Sequence, residues 1–151
     1  MTDSSQTGLS LPPVLALDGP SGSGKGTIGQ LCAHEFGWHY LDSGAIYRAL
    51  AWSALKNSVD NSDIRGLTDL ADKMQLGFEI RLGDVAKIIV NDVDATDQLR
   101  TEETGEMASK IAPIKEVRAA LLKLQQRSRQ APGLVADGRD MGTVVFPDAQ
   151  Y

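Results

Sequence analysis

A single cysteine, Cys32, stands among the 151 residues, so no internal disulfide can staple the fold. A chain of this length can do without one, since a domain of about 150 residues buries roughly 70% of the surface that its unfolded form exposes. Basic residues are outnumbered, 15 Lys and Arg against 20 Asp and Glu, and they form no run. That excludes binding of a polyanion such as nucleic acid through bulk charge, and any phosphate chemistry must be local. Also missing are an apolar stretch near the roughly 20 residues of a membrane span and the basic, apolar start of an export signal. The expectation is a cytoplasmic, monomeric protein with neither nucleic-acid nor membrane partners.

What is present is ordered. Residues 1–13, polar and ending in Pro12-Pro13, read as a disordered tail, and residues 14–151 as one core. Val14-Leu15-Ala16-Leu17 is a short unbroken apolar run before Asp18-Gly19, the pattern of a strand buried on both faces of a parallel sheet. Ile28, Leu31, Cys32 and Phe36 then recur at helical spacing until Gly37, which makes Cys32 core filler. Trp38-His39-Tyr40-Leu41 reads as a second strand, and Asp42-Ser43-Gly44 opens a helix that runs to about Lys56. This alternation predicts an α/β fold with a parallel sheet. A short helix is expected around 67–74. Residues 77–97 change character: 78–82 alternates, Gly83-Asp84 can turn, and Lys87-Ile88-Ile89-Val90 follows, a small antiparallel insertion. Helical pattern returns over 101–111, breaks at Pro113 and resumes from 114 to about 129. Pro132-Gly133 then precedes another buried strand, Leu134-Val135-Ala136.

Gly19-Pro20-Ser21-Gly22-Ser23-Gly24-Lys25-Gly26-Thr27 lies directly between a predicted strand and a predicted helix, the setting of a phosphate-binding loop. Glycines let backbone N–H groups approach an anion, the helix N-terminus adds its dipole, and Lys25 adds a full charge near the β- and γ-phosphates. The usual pattern has Ser or Thr directly after the lysine. Here Gly26 holds that place and Thr27 follows.

Three charged places resist a bland reading. Ala45-Ile46-Tyr47-Arg48-Ala49-Leu50-Ala51-Trp52-Ser53-Ala54-Leu55 is apolar nearly all round, which predicts a buried helix, yet Arg48 sits within it. A buried guanidinium requires a carboxylate or an anionic ligand. Asp42 and Ser43, at the start of that helix, either position a ligand or cap the helix. On the later helix, Ile114, Val117, Leu121 and Leu124 define a face with Arg118 at its margin, where it either snorkels or meets a ligand. Asp137-Gly138-Arg139-Asp140 follows a buried strand, and in parallel sheets ligands bind beyond the carboxyl ends of strands. His34 and His39 have no partners at metal-ligand spacing and read as structural.

Three of these segments, the loop at 19–27, Leu41-Asp42-Ser43-Gly44-Ala45-Ile46-Tyr47-Arg48, and the run from Asp137 through Val144-Val145-Phe146-Pro147-Asp148-Ala149, make the chain resemble the bacterial cytidylate kinases, within the nucleoside monophosphate kinase family. The resemblance runs from Val14 to Tyr151. It implies a three-layer P-loop kinase core and transfer of the γ-phosphoryl of ATP to CMP or dCMP. Mg2+ would be held mainly by phosphates and water, with no all-protein metal site. Gly19 to Thr27 would hold ATP, with Lys25, Arg48 and Arg139 around the reacting phosphates. Ser43, Arg48 and Arg139 would surround the acceptor's phosphate, Ser109, Arg118 and Asp140 its cytosine, and Asp42 would belong to the acceptor site as well. The antiparallel piece, within 66–100, would form part of the acceptor side. Family members continue past the position of Tyr151 with a further core strand, an arginine-bearing lid, and a last strand and helix. The resemblance leaves two other expectations open: a P-loop kinase for another small acceptor, or a catalytically incomplete nucleotide-binding fragment.

Overall fold

The computed structural model describes residues 11–19, 24–138 and 141–151, with the side chains of Lys25 and Thr143 set aside. The tail at 1–10, Pro20, Ser21, Gly22, Ser23, Arg139 and Asp140 therefore lie outside the described residues.

Strand β1 (Val14–Asp18), helix α1 (Lys25–Phe36), strand β2 (His39–Asp42) and helix α2 (Ser43–Lys56) follow the predicted alternation. Strand β6 (Leu134–Gly138), the last of the chain, inserts between the first two, giving a parallel sheet of order β1-β6-β2. Every residue of β6 is buried, as a central strand requires. At the outer edge of β1, Ala16 N donates to Tyr151 O at 3.0 Å and Tyr151 N donates to Val14 O at 3.3 Å, the alternation of a parallel bridge. Pro12 and Pro13 are tied in: the Pro13 carbonyl accepts from Leu134 N at 2.9 Å and that of Pro12 from Arg129 Nε at 2.6 Å. The prolines offer no N–H, but their carbonyls extend the sheet's reach.

A second sheet joins β3 (Leu76–Glu79), β4 (Lys87–Val90) and β5 (Val93–Asp94) in antiparallel order. Its third strand was not expected. Asn91 and Asp92, both at positive φ, make the tight turn into it, a conformation that Asn and Asp tolerate better than most residues. Helices α3 (Ile64–Lys73), α4 (Glu102–Ile111) and α5 (Lys115–Arg127) complete the packing, α4 against α2 and α3 against α5. A 3-10 turn (Gln98–Arg100) precedes α4, and a π-helical turn (Met141–Val145) follows β6. The main core runs from Val14 and Leu41 through Leu50, Leu67, Ile111 and Leu121 to Phe146.

Two expectations change. The apolar spacing of α1 does not mark its inner face: Ile28, Leu31 and Phe36 are 53%, 46% and 52% exposed, while Gly29, Gln30 and Ala33 are buried. The helix meets the sheet through small residues, which permits close approach, and Cys32 is only half-buried, against the smaller core cluster around Tyr40 and Val135. Helix α2 buries Ile46, Ala49 and Leu50 as foreseen, but Arg48 is exposed, because that part of the helix borders a cavity. Among the described residues, no helix is long and apolar enough to cross a membrane.

Candidate functional site

Parallel register brings three strand ends to one level. Leu17 lies opposite Asp137, Asp18 opposite Gly138, and Asp42 opposite Asp137. The chain leaves β1 held to β6, Gly19 N donating to Gly138 O at 3.2 Å. It enters α1 through Gly24, whose φ of 84° is the left-handed region that a side chain would disfavour. Gly24, at the N-cap, has no side chain with which to cap this helix, which leaves its first N–H groups to an anion. Lys25 and Gly26 begin the helix, and Thr27 is exposed on its first turn.

Helix α2 starts where β2 stops, without an intervening loop. Asp42 caps it, its Oδ1 accepting from Gly44 N at 3.0 Å, so for Asp42 the capping reading holds. Ser43 follows, half-buried, with its side chain pressed against Gly138. Two cavities flank this first turn. The smaller, about 470 Å3, lies between Gly19, Ser43, Tyr47, Arg118, Gln125 and Val144, and is floored by the turn after β6. The larger, about 920 Å3, runs from Thr27 and Tyr40 past Arg48 to the antiparallel sheet, where Arg81 and Arg100 line it. Asp42 borders both.

Carboxylates at the strand ends are engaged. Asp18 accepts from the backbone N–H of Met141 at 2.5 Å and of Gly142 at 3.1 Å, and so pins the π-helical turn. Asp137, 2% exposed, accepts from the Tyr40 hydroxyl at 3.0 Å. Burial, then the negative charge of Asp137, pushes the Tyr40 phenol far above its ordinary range. Tyr47 is also shifted up by burial, partly offset by the positive charge and hydrogen bond of neighbouring Arg118. The same carboxylate of Asp137 lies 3.5 Å from where a Cβ on Gly26 would stand, so it borders the loop-bearing helix.

Of the residues singled out from sequence, Gly19, Asp42, Ser43 and Arg118 meet on the smaller cavity, and Gly26, Thr27, Asp42 and Arg48 on the larger. Arg118 sits beside Tyr47 on the wall of the smaller cavity. Ser109 is exposed on α4 and lines neither cavity. His39 Nε2 lies 3.0 Å from Ala131 O, in keeping with a structural role. Tyr40, Tyr47, Arg81 and Arg100 were not singled out. For Tyr47 the signal was its place one residue before Arg48; for Tyr40 none existed, because Asp137 is 97 residues away.

Known proteins give the site a context. The family model described as cytidylate kinase matches residues 15–151. The chain is similar to a curated cytidylate kinase of Aeromonas salmonicida (strain A449), 51% identical over 140 residues, or 93% of this chain. It spans about 60% of that relative's length.

Proposed function

The chain belongs to the cytidylate kinase family, and from that premise we propose that it transfers the γ-phosphoryl group of ATP to CMP or dCMP, giving CDP or dCDP and ADP. The observation that carries this reading is the meeting of the start of α1 at Gly24, the first turn of α2 and the end of β6 at one edge of the sheet. Donor phosphates lie on the loop from Gly19 to Thr27, against the N–H groups of α1 and the Lys25 ammonium. The acceptor's phosphate lies by Ser43, Arg48 and Arg139, and its base enters the smaller cavity toward Arg118 and Asp140. Arg139 and Asp140 enter from their place in the sequence alone. Residues 14–151 act as the core, with the sheet within 66–100 as the acceptor-side wall; the protein works as a cytoplasmic monomer.

Phosphoryl transfer of this kind rests on positioning and charge neutralisation. The acceptor is already an anionic phosphate oxygen, so no general base is required. Lys25, Arg48 and Arg139 hold donor and acceptor phosphates together against their mutual repulsion. Hard cations take oxygen ligands and usually keep several waters. Thr27, exposed on the first turn of α1, is an oxygen ligand of that kind, suited to orient Mg2+-bound water. The ion, when bound, neutralises charge on the transferring group.

The test is turnover with CMP, UMP and AMP in the complete protein, with a strong preference for CMP expected. Cytosine offers an exocyclic amino donor where uracil has an acceptor, so Asp140→Ala narrows the CMP-to-UMP ratio of kcat/KM by roughly ten- to a hundredfold. Equal use of the three acceptors by the unaltered protein refutes the reading.

A further inference from the structure

Building on the phosphotransfer reading, we infer that Arg100 is a second cation for the acceptor's phosphate, working with Arg48 in the larger cavity. Both guanidinium groups are exposed on its wall. Neither forms an ion pair among the described residues. Arg81, the third arginine there, is already engaged: it lies 4.0 Å from Asp84, and its Nε donates to Val85 O at 3.1 Å.

Arg100 is held in place rather than loosely displayed. It ends the 3-10 turn that buried Leu99 anchors, with Leu99 N donating to Ala95 O at 3.0 Å. The hydroxyls of Thr101 and Thr104 both donate to the Gln98 carbonyl, clamping the same turn. That turn packs on α2, the helix that carries Arg48. Two cations placed on one cavity by adjoining elements repel each other, and an anion between them turns that cost into attraction. A phosphate can accept from both forks at once, which a single lysine could not match in geometry. The cavity also reaches Gly26 and Thr27 on the first turn of α1, so an anion held there faces the donor loop.

The experiment is calorimetric titration of the complete protein with CMP and with cytidine, comparing the unaltered protein with Arg100→Gln and Arg100→Lys. Arg100→Gln is expected to weaken CMP binding about tenfold and leave cytidine within about twofold. Arg100→Lys recovers part of the loss, because it keeps the charge without the fork. In turnover the KM for CMP rises while that for ATP does not. CMP affinity within about twofold of the unaltered protein in Arg100→Gln, or equal losses for CMP and cytidine, overturns the assignment. Should Arg100→Gln fail to fold, Arg100→Lys decides: a CMP-specific loss of about threefold supports the role and no loss refutes it. An unaltered protein that binds no CMP overturns the underlying reading together with this one; normal binding with unaffected variants overturns this one alone.

Discussion

Replacing Gly138 by alanine probes the closest approach in the site. Gly138 ends β6, and a Cβ built there would stand 2.8 Å from Ser43 Cβ and 3.0 Å from Met141 Cε, with Ser43 Oγ nearer still. The methionine tip can swing aside. Ser43 Cβ cannot, because Ser43 is the first residue of α2, between the Asp42 cap and buried Ala45 and Ile46. The added methyl must push β6 and α2 apart. Overpacking of this kind costs about 1 to 3 kcal/mol, and for a domain of this size each kcal/mol lowers Tm by about 2 to 4 °C. A fall in Tm of about 2 to 12 °C is therefore expected, with weakened CMP binding, since the displaced residue is one of those proposed to meet the acceptor's phosphate. Gly77→Ala is the control: nothing lies within 4 Å of a Cβ there. That variant should melt close to the unaltered protein. Thermal melts by circular dichroism and CMP titration read both effects. A Gly138→Ala protein that melts no lower than Gly77→Ala and binds CMP normally would refute the packing argument.

Other substitutions test separate links. Lys25→Ala should lower kcat by at least about a hundredfold with an unchanged circular dichroism spectrum, since the lysine acts on phosphate charge; near-normal turnover removes it from the mechanism. Tyr40→Phe deprives buried Asp137 of a donor and should cost about 1.5 to 3 kcal/mol in denaturant melts at neutral pH. The Tyr40 phenol is shifted up in the folded protein, so above about pH 10 the unfolded chain releases a proton that the folded chain keeps, and stability falls as pH rises. Tyr40→Phe should remove that part of the alkaline slope; an unchanged slope contradicts the assigned environment. Asp148→Ala leaves the Arg129 guanidinium, 7% exposed and bound to both Asp148 oxygens at 2.9 Å, without its carboxylate. Because Asp148 itself is 59% exposed, a moderate loss of about 1 to 3 kcal/mol is expected in the same melts.

Short-range signals were legible in the sequence, and long-range ones were not. The apolar run at Val14 and the helix that starts at Lys25 read correctly because strand and helix chemistry act within a few residues. The cap at Asp42, one of the two roles its place before a helix offered, is local in the same way. Which face of α1 turns inward did not follow from the spacing of Ile28, Leu31 and Phe36. Gly29 and Ala33 let the helix sit close to the sheet, and periodicity counts large side chains without weighing how near a backbone can come. The exposure of Arg48 escaped a helix-wheel argument because it depends on a cavity wall built by the 3-10 turn and the antiparallel sheet, some fifty residues on. Tyr40 and Asp137 meet only because β6 returns between β1 and β2.

That return has an electrostatic consequence for the site. Sheet order and register place Asp18, Asp42 and Asp137 at the same edge, where three carboxylates would repel one another and any phosphate brought near. Each is instead occupied by a donor: backbone N–H groups of the turn after β6 for Asp18, the α2 backbone for Asp42, and the Tyr40 hydroxyl for Asp137. Their charge is spent on holding the π-helical turn, the start of α2 and the contact between β2 and β6. Positive charge reaches the adjoining cavity from other elements, Arg48 from α2 and Arg100 from the 3-10 turn, so framework and ligand charges are carried by different residues. A chain with net charge −5 can therefore present a cationic pocket without a basic surface, because the acids at this edge of the sheet accept from donors of the framework.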